Sequence, residues 1–173
     1  NLGGWRTKRK LLVIESDDWG AIRMPSTEVY DKCLSAGYPV DKTCYERYDS
    51  LLSESDLELL FNSLVSIKDA QGNHPLITAN VIVANPNFEK IEANGRRQYE
   101  AELVSETFRR YPEHSRCLDI WKEGLEKSIF YPQFHGREHL NVGLFMDGLR
   151  WSDPVAMFAF DNQMPGCIAK GSG

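Results

Sequence analysis

The chain has little of what marks the specialised classes of protein. Its 173 residues include only four histidines and four cysteines. Cys33, Cys44, Cys117 and Cys167 show neither Cys-x-x-Cys spacing nor a neighbouring histidine, which excludes a zinc finger or a dithiol redox motif and leaves buried free thiols as the expectation. No apolar run approaches the roughly 20 residues that a membrane span requires, and no signal-like apolar segment precedes the first expected strand. The expectation is a cytoplasmic protein without a membrane span. Excess positive charge is missing too: the formal net charge is -5, and the single basic cluster, Arg6 to Lys10, directly precedes an apolar run as a solvated strand entry does. A mildly acidic surface repels phosphate, so no nucleic-acid partner is expected. With 42% hydrophobic and 26% charged residues, the composition is that of an ordinary globular chain.

What is present is an alternation of strand and helix patterns. Lys10 to Ser16 is a short apolar run of the kind found in strands buried on both faces, and it delivers Asp17 and Asp18 at its carboxyl end. A polar, aromatic-rich stretch from Trp19 to Tyr48 follows, with one short helix expected over 27–35. Ser55-Asp56-Leu57-Glu58 has capping-box form, and the apolar spacing after it predicts a helix over about 56–70. Leu76 to Ala84, rich in β-branched residues, reads as a second strand. Helices are expected near 99–110 and 115–129, then a strand from Phe130 to Phe134, another helix from about Leu140, and a last strand from Val155 to Phe160 ending at Asp161. Polar residues recur where strands stop. The pattern predicts an α/β fold of parallel strands, a barrel or an open sheet, with its site at the carboxyl ends.

Two motifs carry chemistry. Adjacent carboxylates at a strand end repel each other and raise each other's pKa unless a cation lies beside them. Asp17 and Asp18 therefore ask for a counter-charge, or else cap the following turn. His135-Gly136-Arg137-Glu138-His139 places two imidazoles four residues apart, on one face if the segment is helical. Two imidazoles and a carboxylate suit zinc or a similar divalent ion and leave a coordination position open. Arg137 and Glu138 are candidates for a pair that orients the ligands. Asn80, Asn85 and Arg23 are candidates for lining the site.

Ser16-Asp17-Asp18-Trp19-Gly20 resembles the first motif of the NodB-type polysaccharide deacetylases, in which a strand ends in Thr-Phe-Asp-Asp-Gly, and His135 to His139 resembles their His-Ser/Thr-x-x-His motif. The resemblance spans about residues 10–145. It implies a partial or distorted (β/α) barrel forming one catalytic domain over residues 1–173. It further implies Asp17 as catalytic base, with Asp18, His135 and His139 as ligands of one divalent ion, zinc favoured. The implied activity is removal of N- or O-linked acetyl groups from a carbohydrate. Trp19, Arg137 and Asp161 are the expected substrate contacts. No histidine follows His139, whereas the family's leaving-group acid is a late histidine. Truncation at the C-terminus, another group in that role, and loss of activity all stay open. Three rivals remain: an HxxEH-type metalloprotease using Glu138, a glycoside hydrolase pairing Asp17 with Asp161, and a degenerate barrel that binds carbohydrate through Trp19, Tyr30, Tyr38, Tyr45 and Tyr48.

Overall fold

The computed structural model describes residues 4, 6–8 and 10–167. At its centre is a parallel sheet of three strands in the order β1-β2-β5: β1 (Glu15–Trp19), β2 (Ile77–Ile82) and β5 (Phe130–Gly136). Parallel neighbours require long crossovers, and the chain supplies them. Between β1 and β2 run α1 (Thr27–Ser35), α2 (Cys44–Tyr48) and α3 (Glu54–Val65). Between β2 and β5 run β3 (Ala84–Pro86), α4 (Phe88–Ala93), β4 (Ala101–Leu103), α5 (Val104–Arg110) and α6 (Cys117–Glu126). After β5 come α7 (Val142–Arg150) and α8 (Pro154–Asp161), and β3 and β4 pair antiparallel as a separate ribbon. The fold is mixed α/β with parallel strands, as expected. Among the described residues the sheet does not close into a barrel.

One face of the sheet packs on α3 and α6. Ile77, Ala79 and Val81 alternate toward that side and join Leu57, Phe61, Leu64, Ile120, Trp121 and Phe130 in the largest core cluster. Its centre is aromatic: Phe130 lies 5.1 Å from Trp19, 5.6 Å from Phe61 and 5.6 Å from Trp121, centroid to centroid. Gly124 lets α6 approach. A Cβ there would stand 2.5 Å from Phe61 Cζ and 2.8 Å from Phe130 Cβ.

Several boundaries differ from the sequence reading. The first strand begins at Glu15, not Lys10. Leu11, Leu12 and Val13 are exposed, because β2 starts at Ile77 and the ladder begins where Thr78 N–H donates to Ile14 O at 2.9 Å. Helix α3 starts two residues earlier than expected, capped by Ser53 in a reciprocal bond with Asp56. It stops at Val65, where Ser63 and Ser66 hydroxyls bond back to Leu59 and Ser63 carbonyls. The expected helix over 99–110 begins as strand β4 and turns helical only at Val104. Val155 to Phe160 is helical, not a strand. Pro154 occupies the first turn, and Asp153 Oδ1 accepts from Val155 N–H at 3.0 Å and Ala156 N–H at 2.9 Å, a cap that a short apolar run does not reveal.

Of the four cysteines only Cys33 and Cys117 are buried, whereas Cys44 is exposed and Cys167 half-buried. Burial, helped by Glu54 and Asp56, pushes the Cys117 thiol up to about 12. No described helix is long and apolar enough to cross a membrane.

Two outcomes follow from the packing. Gly124→Ala overfills the junction of α3, α6 and β5 and is expected to cost about 1–3 kcal/mol in a urea unfolding curve; an unchanged midpoint would contradict the close approach. Iodoacetamide at pH 8 on the folded protein is expected to label Cys44 and spare Cys33 and Cys117, read by peptide mass mapping.

Candidate metal centre

The site is built where β1 and β5 leave the sheet, and both strands are irregular there. Along β1, Ser16 faces Ala79 and Trp19 faces Val81, so Asp17 and Asp18 together stand opposite the single residue Asn80. Along β5, Phe134 faces Val81 and Gly136 faces Ile82, which leaves His135 as the extra residue. A bulge of this kind breaks the strict alternation and re-aims a side chain. Asp18 takes the left-handed conformation at φ 62°, which aspartate tolerates better than most residues. Gly20, at φ 90°, then lies against Val104, where a Cβ would come within 2.7 Å of Val104 Cγ2.

The two bulges bring the predicted ligands together. His135 Nε2 is 3.5 Å from Asp18 Oδ1, and His139 Nδ1 is 3.3 Å from Asp18 Oδ2. Asp17 is held separately, its Oδ1 accepting from Asn80 Nδ2 at 2.6 Å. The helical turn expected to align the imidazoles is absent: Arg137 to Leu140 is a bent loop, and α7 begins only after Asn141, whose side chain caps Leu144 N–H. The loop is fixed by backbone bonds instead. Val83 N–H donates to Gly136 O and Arg137 O, and Ala84 N–H donates to Arg137 O at 2.7 Å.

Among the described residues no group of three or more His, Cys, Asp and Glu side chains is placed to hold a metal ion as it stands. The imidazoles meet Asp18 pairwise, one at each carboxylate oxygen. Three observations nevertheless fit a divalent ion. Asp18 Oδ1 is buried and makes no hydrogen bond, an omission that a cation would correct. One carboxylate and two imidazoles form a zinc-type donor set. Ligands each about 2.0–2.1 Å from a tetrahedral ion lie about 3.3 Å from one another, close to the separations found here. The side chains of His135 and His139 are 39% and 51% exposed, so solvent reaches the site.

A groove of about 430 Å³ opens beside Asp17 and Asp18, with Trp19, Arg23, Tyr45 and Asp49 in its walls. Arg23 bridges it: Nε pairs with Asp49 at 3.3 Å, Nη2 lies 3.5 Å from His139 Nδ1, and the guanidinium covers the Tyr45 ring at 5.4 Å. Asp49 was not evident from sequence. It follows α2, itself unexpected, and no spacing relates it to Arg23.

The expected substrate contacts fare unequally. Trp19 borders the groove, yet its ring is half-buried against Phe130 and Trp121, so it serves the core first. Arg137 is engaged by Glu138 through bonds of 2.5 and 2.7 Å and lies 5.8 Å over Tyr99, with no described contact to either imidazole. Asp161 is a correction. It ends helix α8 rather than a strand, and its carboxylate pairs with Arg96 at 3.3 Å, apart from the groove. No family model, no characterised protein and no solved structure matches the chain.

A group kept for ligation, not folding, leaves a particular signature. Asp18→Asn retains tolerance of the left-handed conformation and removes one of two adjacent charges. The metal-free variant is expected to melt no lower than the parent, within about 1 kcal/mol. The rise in melting temperature caused by zinc, worth about 2.7 kcal/mol at one hundred times Kd, is expected to disappear. A large loss of metal-free stability would instead assign Asp18 to the fold.

Proposed function

We propose that the protein is a metal-dependent hydrolase that removes acetyl groups from a carbohydrate, on a parallel-stranded scaffold of the deacetylase (β/α) barrel type. The observation that carries this reading is the convergence of Asp18, His135 and His139 at the carboxyl ends of two parallel strands, with Asp17 beside them. Asp18, His135 and His139 would hold one divalent ion, with zinc favoured. The chemistry such an ion supplies is Lewis acidity, which acidifies water and polarises a carbonyl oxygen.

The chain's own groups supply the rest. Asn80 occupies Asp17 Oδ1, which orients the carboxylate and leaves Oδ2, without a described partner, to take the proton of an attacking water. Arg23 places a fixed positive charge next to His139, where it would favour negative charge developing on a carbonyl oxygen. Tyr45, 60% exposed, offers a ring face to a sugar. The protease alternative is disfavoured on two counts: residues 137–140 are not helical, and Glu138 is held by both donors of Arg137 with its side chain 8% exposed.

The test is acetate release from acetylated glucosamine oligomers and from acetyl esters by zinc-loaded protein. Asp17→Asn is expected to lower turnover about 10²–10⁴-fold while leaving metal binding intact, and Asp18→Ala to abolish both. Protein that takes up no divalent ion, and for which Asp18→Ala changes nothing, would sink the reading. Protein that binds metal but never releases acetate would favour the carbohydrate-binding reading over the hydrolase.

A further inference from the structure

Asn85, on β3, is 3% exposed, and three of its polar valences are used. Its Oδ1 accepts from Ile22 N–H at 3.1 Å, while Nδ2 donates to Gly20 O at 2.9 Å and to Thr107 Oγ1 at 3.2 Å. The first two bonds fasten the turn that follows Asp18, a turn closed at its other end by Ala21 N–H donating to Asp18 O at 3.0 Å. A single planar amide thus holds a carbonyl and an N–H of the same turn, a pairing of donor and acceptor that few side chains present.

Behind Asn85 the bonds run to a charge. Because Thr107 Oγ1 accepts from Asn85, its own proton goes to Glu102 Oε1 at 2.9 Å. Glu102 is buried, 5% exposed. Its Oε2 accepts from Asn87 Nδ2 at 3.0 Å and pairs with Arg110 at 2.7 Å, and Arg110 pairs in turn with Glu89 at 2.9 Å. A buried carboxylate is retained at a cost unless all its bonds are made, and here they are made in a line that ends on the Asp18 turn. The two residues before Asn85 complete the arrangement, since the backbone N–H groups of Val83 and Ala84 are those that hold Gly136 and Arg137, between the two histidines.

We infer that Asn85 is a positioning residue for the metal centre: Val83 to Asn85 clamp both halves of the ligand set, the backbone holding the histidine loop and the Asn85 amide holding the Asp18 turn. The inference rests on the metal reading above. Asn85 touches neither ion nor substrate, and it acts through the torsion of Asp18.

Cobalt(II) binding to the full chain, followed by its visible absorption and by competition with a chromophoric chelator, tests it. Asn85→Ala is expected to weaken binding about 10–100-fold, as loss of a partner behind a ligand does. Thr107→Val, which keeps shape and removes the hydroxyl, should weaken it by a smaller factor. Ile91→Val provides the control: it removes a methyl group from a separate buried cluster, and affinity should stay within about two-fold, as for independent distant sites. Folded Asn85→Ala that binds cobalt like the parent would overturn the inference, as would Ile91→Val losing as much affinity. If Asn85→Ala does not fold, parental affinity in Thr107→Val overturns it equally. A parent that binds no cobalt, with Asp18→Ala no different, removes the metal reading itself and the inference with it.

Discussion

Two carboxylates cannot stand side by side at the end of a half-buried strand unless each has its own partner. The rest of the molecule can be understood as the supply of those partners. Asp17 and Asp18 repel each other most where water is partly excluded, and the sheet separates them. The central strand β2 gives Asp17 the amide of Asn80, and the far strand β5 brings imidazoles to Asp18. The order β1-β2-β5 sets β2 between the strand that carries the acids and the strand that leads to the histidines. The parallel direction of all three strands then puts every one of these groups at the same end.

The site rests directly on the core. Trp19 follows Asp18 in the chain and is gripped by Phe130 and Trp121, contacts worth on the order of 0.5–1.5 kcal/mol for each aromatic pair beyond simple burial. Phe130 in turn begins the strand that ends near His135. The aromatic cluster therefore fixes one end of β1 and the opposite end of β5, and the intervening backbone carries that order to the ligands. Precision at the site comes from this attachment to packed elements more than from hydrogen bonds among the ligands themselves.

Periodicity and composition were enough to read the strands that build the sheet, and two short motifs, Asp17-Asp18 and His135 with His139, marked residues at their ends. Strand β2, strand β5 and helix α1 lie near their expected places, β2 because β-branched residues stand between flanking turn residues and β5 in spite of Pro132. The errors have identifiable causes. Val155 to Phe160 is apolar throughout, so it has no period to separate strand from helix, and the Asp153 cap decided the matter. The pairing of β3 with β4 joins two segments of three residues each, too short for a local signal. The two histidines do meet one carboxylate, but through a bulge and a bent loop rather than a helical turn. Spacing alone says that such residues are able to converge, not which backbone makes them do so. Asp161 follows the apolar run of Val155 to Phe160, so its expected place at a strand end goes with the strand. Asp49 had no local mark at all, because its partner Arg23 lies on a different loop.

The site depends on two bulges, one in β1 and one in β5. Each inserts one residue into a ladder that would otherwise run unbroken, and a ladder without them would align β2 with its neighbours more regularly. The regularity of the ladder and the convergence of Asp18 with His135 thus pull in opposite directions at both strand ends. Excision of a single residue from either bulge would leave a tidier sheet while turning Asp18 or His135 toward the wrong face. The centre is accordingly more vulnerable to a change in chain length of one residue than to many changes in side-chain identity nearby, and the tolerance of this fold to insertions belongs in its crossover loops.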